Sequence, residues 1–360
     1  MRRLALAVVA VTALGLAAPP ASAEPVWVAT LPLPPQGMDV LSAFPDGTAY
    51  VEHSNGGGNT LFRSTDYGRT WAPLAAPPSS GTTYVRFATP KVGYAVGLGD
   101  DRALRTADGG VTWRPVTPYP VPKGQRFTGA SFAVSGRTLL VAGTLDKDGP
   151  AVGCEPSRGA VMVSNDEGRT WRRTPMPFAG GTMTAGWSVE LLGSRDAAVV
   201  FYEEPTECAT TFDATAVYVT HDGGRTFARR AACRVICTAV GLPSRERLLA
   251  GRVDGTTAIS DDGGRTFREG QRFTDYSATG DTSHAFWVQA FAFAGRVGYA
   301  STKGGGTWRT TTGGTEWEQE VVTHESGFGI GIGEVAVFDT ERAITGGPGF
   351  VSTRQGVATG

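Results

Sequence analysis

The chain has almost no excess charge of either sign: 33 lysines and arginines face 34 aspartates and glutamates, for a formal net charge of −1. A nucleic-acid partner calls for a basic surplus, so this balance argues against one. Histidine is scarce, at four in 360 residues. No Ser-His-Asp pattern, phosphate loop or metal-ligand cluster is present, so neither a cofactor nor a metal is implied. Long apolar runs are missing after the first residues, and nothing in 24–360 has the apolar stretch of about 20 residues that spans a bilayer. Cysteines number only four, in spacings unlike the paired C-x-x-C knuckles of zinc sites.

What is there begins with the N-terminus. Arg2 and Arg3, an apolar stretch from Leu4 to Ala17, and Ala21-Ser22-Ala23 before Glu24 read as a secretory signal peptide over 1–23. The expectation is a secreted, extracellular protein of one domain over 24–360, monomeric and without a membrane span. Four cysteines in an exported chain suggest two disulfides, with three possible pairings. Cys233 and Cys237 share one connection, while Cys154 and Cys208 sit in comparable loops of neighbouring repeats. The expected pairs are therefore Cys154–Cys208 and Cys233–Cys237.

Glycine is plentiful, at 50 residues, beside 22 prolines. With few helical patterns, this composition points to turn-rich β structure. One turn recurs: Ser64-Thr-Asp66-Tyr-Gly68-Arg-Thr70-Trp71, then Thr106 to Trp113, Ser164 to Trp171, Thr220 to Phe227 and Ser260 to Phe267. A sixth copy, Thr310-Thr-Thr312-Gly-Gly314-Thr-Glu316-Trp317, lacks the aspartate, and a trace remains at Ser352-Thr-Arg354-Gln-Gly356. An aspartate heading a turn accepts backbone N–H bonds from residues one or two positions on, and the glycine two positions later allows positive φ. The aromatic then lies over the hairpin. Asp66, Asp108, Asp166, Asp222 and Asp262 are accordingly turn-formers, each confined to its own repeat.

These turns resemble the Asp-box, or bacterial neuraminidase repeat, of sialidases, xyloglucan-cleaving enzymes, sortilin-type receptors and photosystem II assembly and stability factors. The phrase Phe87-Ala-Thr-Pro-Lys-Val-Gly93-Tyr94-Ala95-Val-Gly97, leading into Leu104-Arg105-Thr106-Ala-Asp108, is similar to the assembly-factor repeat in particular. The resemblance implies a β-propeller fold and is shared by enzymes and binders. Sialidases also use an arginine triad, the first arginine lying in an Arg-Ile-Pro type motif before the first box. Here no arginine of 24–360 precedes Arg63, which argues against sialidase activity.

The third motif position falls at 66, 108, 166, 222, 262, 312 and 354. A unit of about 40–50 residues with four short strands is a propeller blade. The expected fold is all-β, a seven-bladed propeller of four-stranded blades. The seventh repeat stops after its third strand, so the strand near Val26–Leu31 is expected to complete the last blade. With strands running A to D outward, the aspartate turns share one face with the A–B turns. The long B–C loops Thr144–Arg158 and Glu203–Thr215 rise on the other face, where binding or chemistry belongs.

A glycosidase needs two carboxyl groups facing one pocket. Asp39, Glu190 and Glu334, on or beside inner strands, are the catalytic candidates. On the long-loop rim the ligand-binding candidates are Glu203, Glu204, Tyr276, His284, Trp287 and His324, where aromatics stack on sugars or peptide side chains. His221, inside a turn motif, is expected to be exposed. Two readings follow: a module binding an extracellular glycan or protein through the long-loop face, or an extracellular glycoside hydrolase or lyase of sialidase-like fold.

Overall fold

The computed structural model describes residues 26–34, 38–54, 59–78, 83–97, 100–147, 158–178, 186–203, 215–233, 235–274, 287–303, 306–320, 334–347 and 349–355. The expected leader, Cys154, Cys208, Glu204, Tyr276, His284 and His324 lie outside them.

The described chain forms seven four-stranded antiparallel sheets, the blades of a propeller. The first strand, β1 (Val26–Pro32), precedes blade 1: β2 (Met38–Ala43), β3 (Ala49–Ser54), β4 (Asn59–Ser64) and β5 (Ala72–Leu74). Blade 2 holds β6 (Thr83–Phe87), β7 (Gly93–Gly97), β8 (Leu104–Thr106) and β9 (Arg114–Pro115). Blade 3 holds β10 (Gln125–Ser135), β11 (Thr138–Lys147), β12 (Arg158–Ser164) and β13 (Arg172–Thr174). Blade 4 holds β14 (Gly186–Leu192), β15 (Asp196–Tyr202), β16 (Thr215–Thr220) and β17 (Ala228–Cys233). Blade 5 holds β18 (Cys237–Gly241), β19 (Leu248–Arg252), β20 (Thr256–Ser260) and β21 (Arg268–Arg272). Blade 6 holds β22 (Val288–Ala294), β23 (Val297–Thr302), β24 (Thr307–Thr310) and β25 (Glu318–Glu320), and blade 7 holds β26 (Val335–Val337), β27 (Ala343–Gly347) and β28 (Phe350–Gln355).

The first strands of successive blades touch one another in turn, from β2 through β6, β10, β14, β18 and β22 to β26 and back to β2. They therefore ring the axis. The second strands are sandwiched between neighbouring blades and buried along their length, as in Gly93–Gly97, which has no charged side chain, and Ala49–Ser54, whose second half is Glu52, His53 and Ser54. Inner strand β6 instead alternates: Thr83, Val85 and Phe87 are buried while Tyr84 and Arg86 keep contact with water, as period-2 side chains should.

The apolar core is divided among the seams between blades. Blades 3 and 4 share the cluster of Leu140, Val163, Val199 and Phe201. Blades 7 and 1 share that of Ile344, Val351, Leu41 and Val51. At the seam of blades 1 and 2, Tyr50 stacks on Phe87 with ring centroids 3.4 Å apart.

The closure occurs as the missing strand requires. β1 pairs antiparallel with β28, Val26 against Gln355 and Pro32 against Phe350, and forms the outermost strand of blade 7. Trp27 is buried, its indole N–H donating to Glu320 Oε2 at 2.7 Å. Arg354 of β28, with 3% of its side chain exposed, bonds both oxygens of Glu320 on β25. Blades 6 and 7 and the N-terminal strand thus share one buried ion pair.

Candidate functional site

Each aspartate of the repeated turn is consumed by its own loop. Asp222 Oδ1 accepts the N–H groups of Arg225 at 2.8 Å and Thr226 at 3.0 Å, and Oδ2 accepts the Thr226 hydroxyl at 2.7 Å. Asp66, Asp108, Asp166 and Asp262 likewise accept the N–H and hydroxyl of the threonine four residues on. The Thr112 hydroxyl and N–H, with the Thr106 hydroxyl, hold the Asp108 carboxyl at about 2. Partial burial pushes Asp222 up, but Thr226 and Thr220 outweigh it and hold it at about 2. Acceptor oxygens stabilised this way in the charged form are locked anions, not proton donors.

The tip of each turn is also tied to the A–B turn of its own blade. Backbone N–H groups of Tyr67, Gly109, Glu167, Gly223, Gly263 and Gly313 donate to the carbonyls of Gly47, Lys91, Arg137, Arg195, Glu246 and Arg296. Aspartate turns and A–B turns therefore share one face. His221 on that face is half-buried, its Nδ1 2.7 Å from Asp196 Oδ1, where exposure was expected from its place in the motif. A neighbouring carboxylate, invisible in the local sequence, draws the ring in.

The central channel brings together two of the three carboxyl candidates. Glu334 stands at the approach to β26 in blade 7, and its Oε1 pairs with Arg86 of blade 2 at 2.6 Å. Its Oε2 accepts the Leu41 N–H of blade 1 at 2.9 Å, a backbone donor on the inner edge of β2. Glu190, on β14 of blade 4, feels the charges of both Arg86 and Glu334. Residues on blades 2, 4 and 7 are not ring neighbours, so they meet only across the axis. Enclosure by protein pushes the Glu190 carboxyl up; Arg86 opposes this, Glu334 adds to it, and the result is about 7. Glu190 keeps some contact with channel water, and it has no hydrogen-bond or ion-pair partner among the described residues. Tyr84, beside Arg86 on β6, has its phenol raised by burial and by the charges of Glu52 and Glu334. Asp39 lies on β2, opposite His53 in the register.

The rim candidates separate. Glu203 is buried, and Arg229 grips both its oxygens at 2.9 and 2.6 Å while the Tyr218 hydroxyl donates to it. Burial raises its carboxyl, but Arg229 and Tyr218 outweigh this and leave it below the ordinary range. Glu203 therefore braces blade 4 and presents no free oxygen to a ligand. Trp287 is partly exposed just before β22, with the Lys303 ammonium 4.1 Å from its ring centroid. That cation–π pair sits on the long-loop face. The Cys233–Cys237 disulfide is formed and staples the step from β17 to β18.

Arg86 was missed by sequence reasoning, although it is the one charged residue in Thr83–Phe87 and falls on the water-facing phase of that strand. Glu52, which accepts the Thr83 hydroxyl at 3.2 Å, sits in a buried strand and gave no signal. Among the described residues no three His, Cys, Asp or Glu side chains are grouped to hold a metal ion, and no helix is long and apolar enough to cross a membrane.

No protein family and no curated protein matches the chain. Solved structures do. YCF48 from Cyanidioschyzon merolae is similar with a TM-score of 0.61 at 14% identity, over 93% of this chain and 100% of that one. YCF48 bound to D1 peptide gives 0.59 at 16% identity, over 92% and 96%. Virginiamycin B lyase from Staphylococcus aureus gives 0.58 at 12% identity, over 92% and 98%. At these identities the likeness establishes the seven-bladed propeller and nothing finer.

Proposed function

We propose that the protein is a secreted Asp-box propeller that binds a protein or glycan partner through the face opposite the aspartate turns. The observation that carries this reading is the asymmetry of the two faces. On the turn face the A–B connections are as short as 136–137 and 295–296, and the aspartates are spent on their own loops. At the opposite face successive strands are far apart in sequence, Lys147 from Arg158, Tyr202 from Thr215, Arg272 from Val288 and Glu320 from Val335, and the Trp287–Lys303 pair lies there. Long connections on a rigid scaffold are where recognition resides. YCF48, a propeller of this shape, has been captured with a peptide, which supports a protein partner over a glycan. The Cys233–Cys237 disulfide fits an oxidising, extracellular compartment.

One observation favours a second reading, a glycan-cleaving enzyme. Glu190 and Glu334 are carboxyl groups with opposed environments, one raised to about 7 and one paired with arginine, and such a split suits an acid and a base. Against it, both oxygens of Glu334 are already occupied.

The test is selection of binders from a random peptide library and a glycan array, with a polysaccharide-hydrolysis screen alongside. Selected peptides are expected to lose at least about tenfold in affinity on Trp287→Ala, a typical anchor loss of about 1.4 kcal/mol or more. Arg265→Glu on the turn face should leave them unchanged. Binders that respond only to Arg265→Glu would overturn the assignment of the face. Glycan turnover abolished by changing Asp39, Glu190 or Glu334 singly to alanine would replace binding with catalysis.

A further inference from the structure

We propose that the central channel receives a single ammonium or guanidinium group, a lysine or arginine side chain of the protein partner, with Glu190 as its anchor. This rests on the protein-binding reading and names the partner's chemistry.

Among the described residues the inner strands are sparsely charged. Inner strands β18 and β22 carry no charged residue, and neither does β26 after Glu334; of the described side chains the others contribute Arg86 on β6, Arg126 on β10 and Glu190 on β14. Arg126 is exposed at the start of β10. Arg86 is already committed to Glu334, and Glu334 to Arg86 and the Leu41 N–H. Among the side chains described, Glu190 is a carboxyl enclosed by the ring with no donor against it. Such a group takes a cation or a proton. The surroundings favour an organic cation over a metal. Ser188 lies on the same side of β14 two residues earlier, and the first strand of each blade has no sheet partner on its inner side. These supply scattered single acceptors that suit N–H donors, whereas a calcium or magnesium ion needs six or more converging oxygens.

Occupancy must displace a proton. Glu190 titrates near 7 in the unliganded ring, with Arg86 and Glu334 as the charged groups acting on it. A cation binds the deprotonated form, so apparent affinity should fall about tenfold for each pH unit below that midpoint and level off above it.

The probes are n-butylammonium and N-ethylguanidinium chlorides, added to the full secreted chain with carbon-13-labelled glutamate side chains. Glu190→Gln identifies the resonance. Saturating probe is expected to lower the Glu190 midpoint by about one pH unit. Glu190→Gln should abolish probe binding while preserving a cooperative melt, and Glu269→Gln on the exposed outer strand should bind as wild type. An unmoved midpoint at saturation, or equal binding by the Glu190→Gln protein, overturns the inference. The two proposals fail separately. Selected peptides that lack lysine and arginine and ignore Glu190→Gln would sustain the face and sink the channel. Probe binding without any selected peptide would do the reverse.

Discussion

Asp222 and Thr312 hold the same bend in the fourth and sixth turns with different chemistry. Asp222 accepts two N–H groups and a hydroxyl, whereas Thr312 Oγ1 accepts the Glu316 N–H at 2.9 Å. In both, the Ser/Thr two residues earlier receives the glycine N–H, Gly224 at 3.1 Å and Gly314 at 3.0 Å. That shared bond and the left-handed glycine make the bend; the carboxylate reinforces it. Gly314, at φ +87°, packs so closely on Leu249 that a Cβ would collide with it. Asp222→Ala should cost about 1–2 kcal/mol in urea unfolding at pH 7, and Asp222→Thr less, since the sixth turn survives with threonine. The folded Asp222 carboxyl lies near 2, below its unfolded value, so its contribution is complete above about pH 4 and is lost as pH falls toward 2. The Ala variant should therefore converge on wild type in acid. The turn and its aspartate were legible in eight residues because the bend is local. The donors lie three and four residues on from Asp222 rather than one or two, since the chain must complete the bend before its N–H groups face the carboxylate.

At the scale of elements, the ring is sealed by β1, β25 and β28 through Trp27, Glu320 and Arg354. Removing one member of a buried pair leaves the other charge uncompensated. Glu320→Ala should cost about 3–5 kcal/mol in thermal or urea unfolding, toward the lower end because the Glu341 carboxylate is 3.7 Å from Arg354. Replacing both Glu320 and Arg354 with apolar residues should cost less than Glu320→Ala alone. Deleting 24–33 should lower the melting temperature, and a truncated chain that melts like the full one would remove β1 from the closure. The strand could be inferred by counting, since the last repeat is one strand short. The ion pair could not, because Glu320 and Arg354 look like ordinary outer-strand charges until the sheets are placed side by side.

For the whole molecule, two sets of carboxyl groups pull stability in opposite directions with pH. The turn aspartates have lowered values, so acid removes their contribution as pH falls below about 4. Glu190 has a raised value, so the folded state holds its proton longer than the unfolded state. Stability then declines as pH rises through 7. A maximum is expected at about pH 4 to 5, and Glu190→Gln should flatten the decline above it, seen as a melting temperature higher than wild type at pH 8. Sequence periodicity gave the blades and their two faces. It did not give the meeting of Arg86, Glu190 and Glu334, because residues spread over 248 positions (Arg86 to Glu334) converge only once the ring is shut. That shutting has an order in time. Val26 is synthesised before every other described residue, yet its partner is Gln355, the last of them. Until Gln355 emerges, β1 waits as an unpaired edge while blades accumulate behind it. The ring closes only once Gln355 has emerged. A chain halted one blade short would expose two open sheet edges at once, a substrate for chaperones and for aggregation.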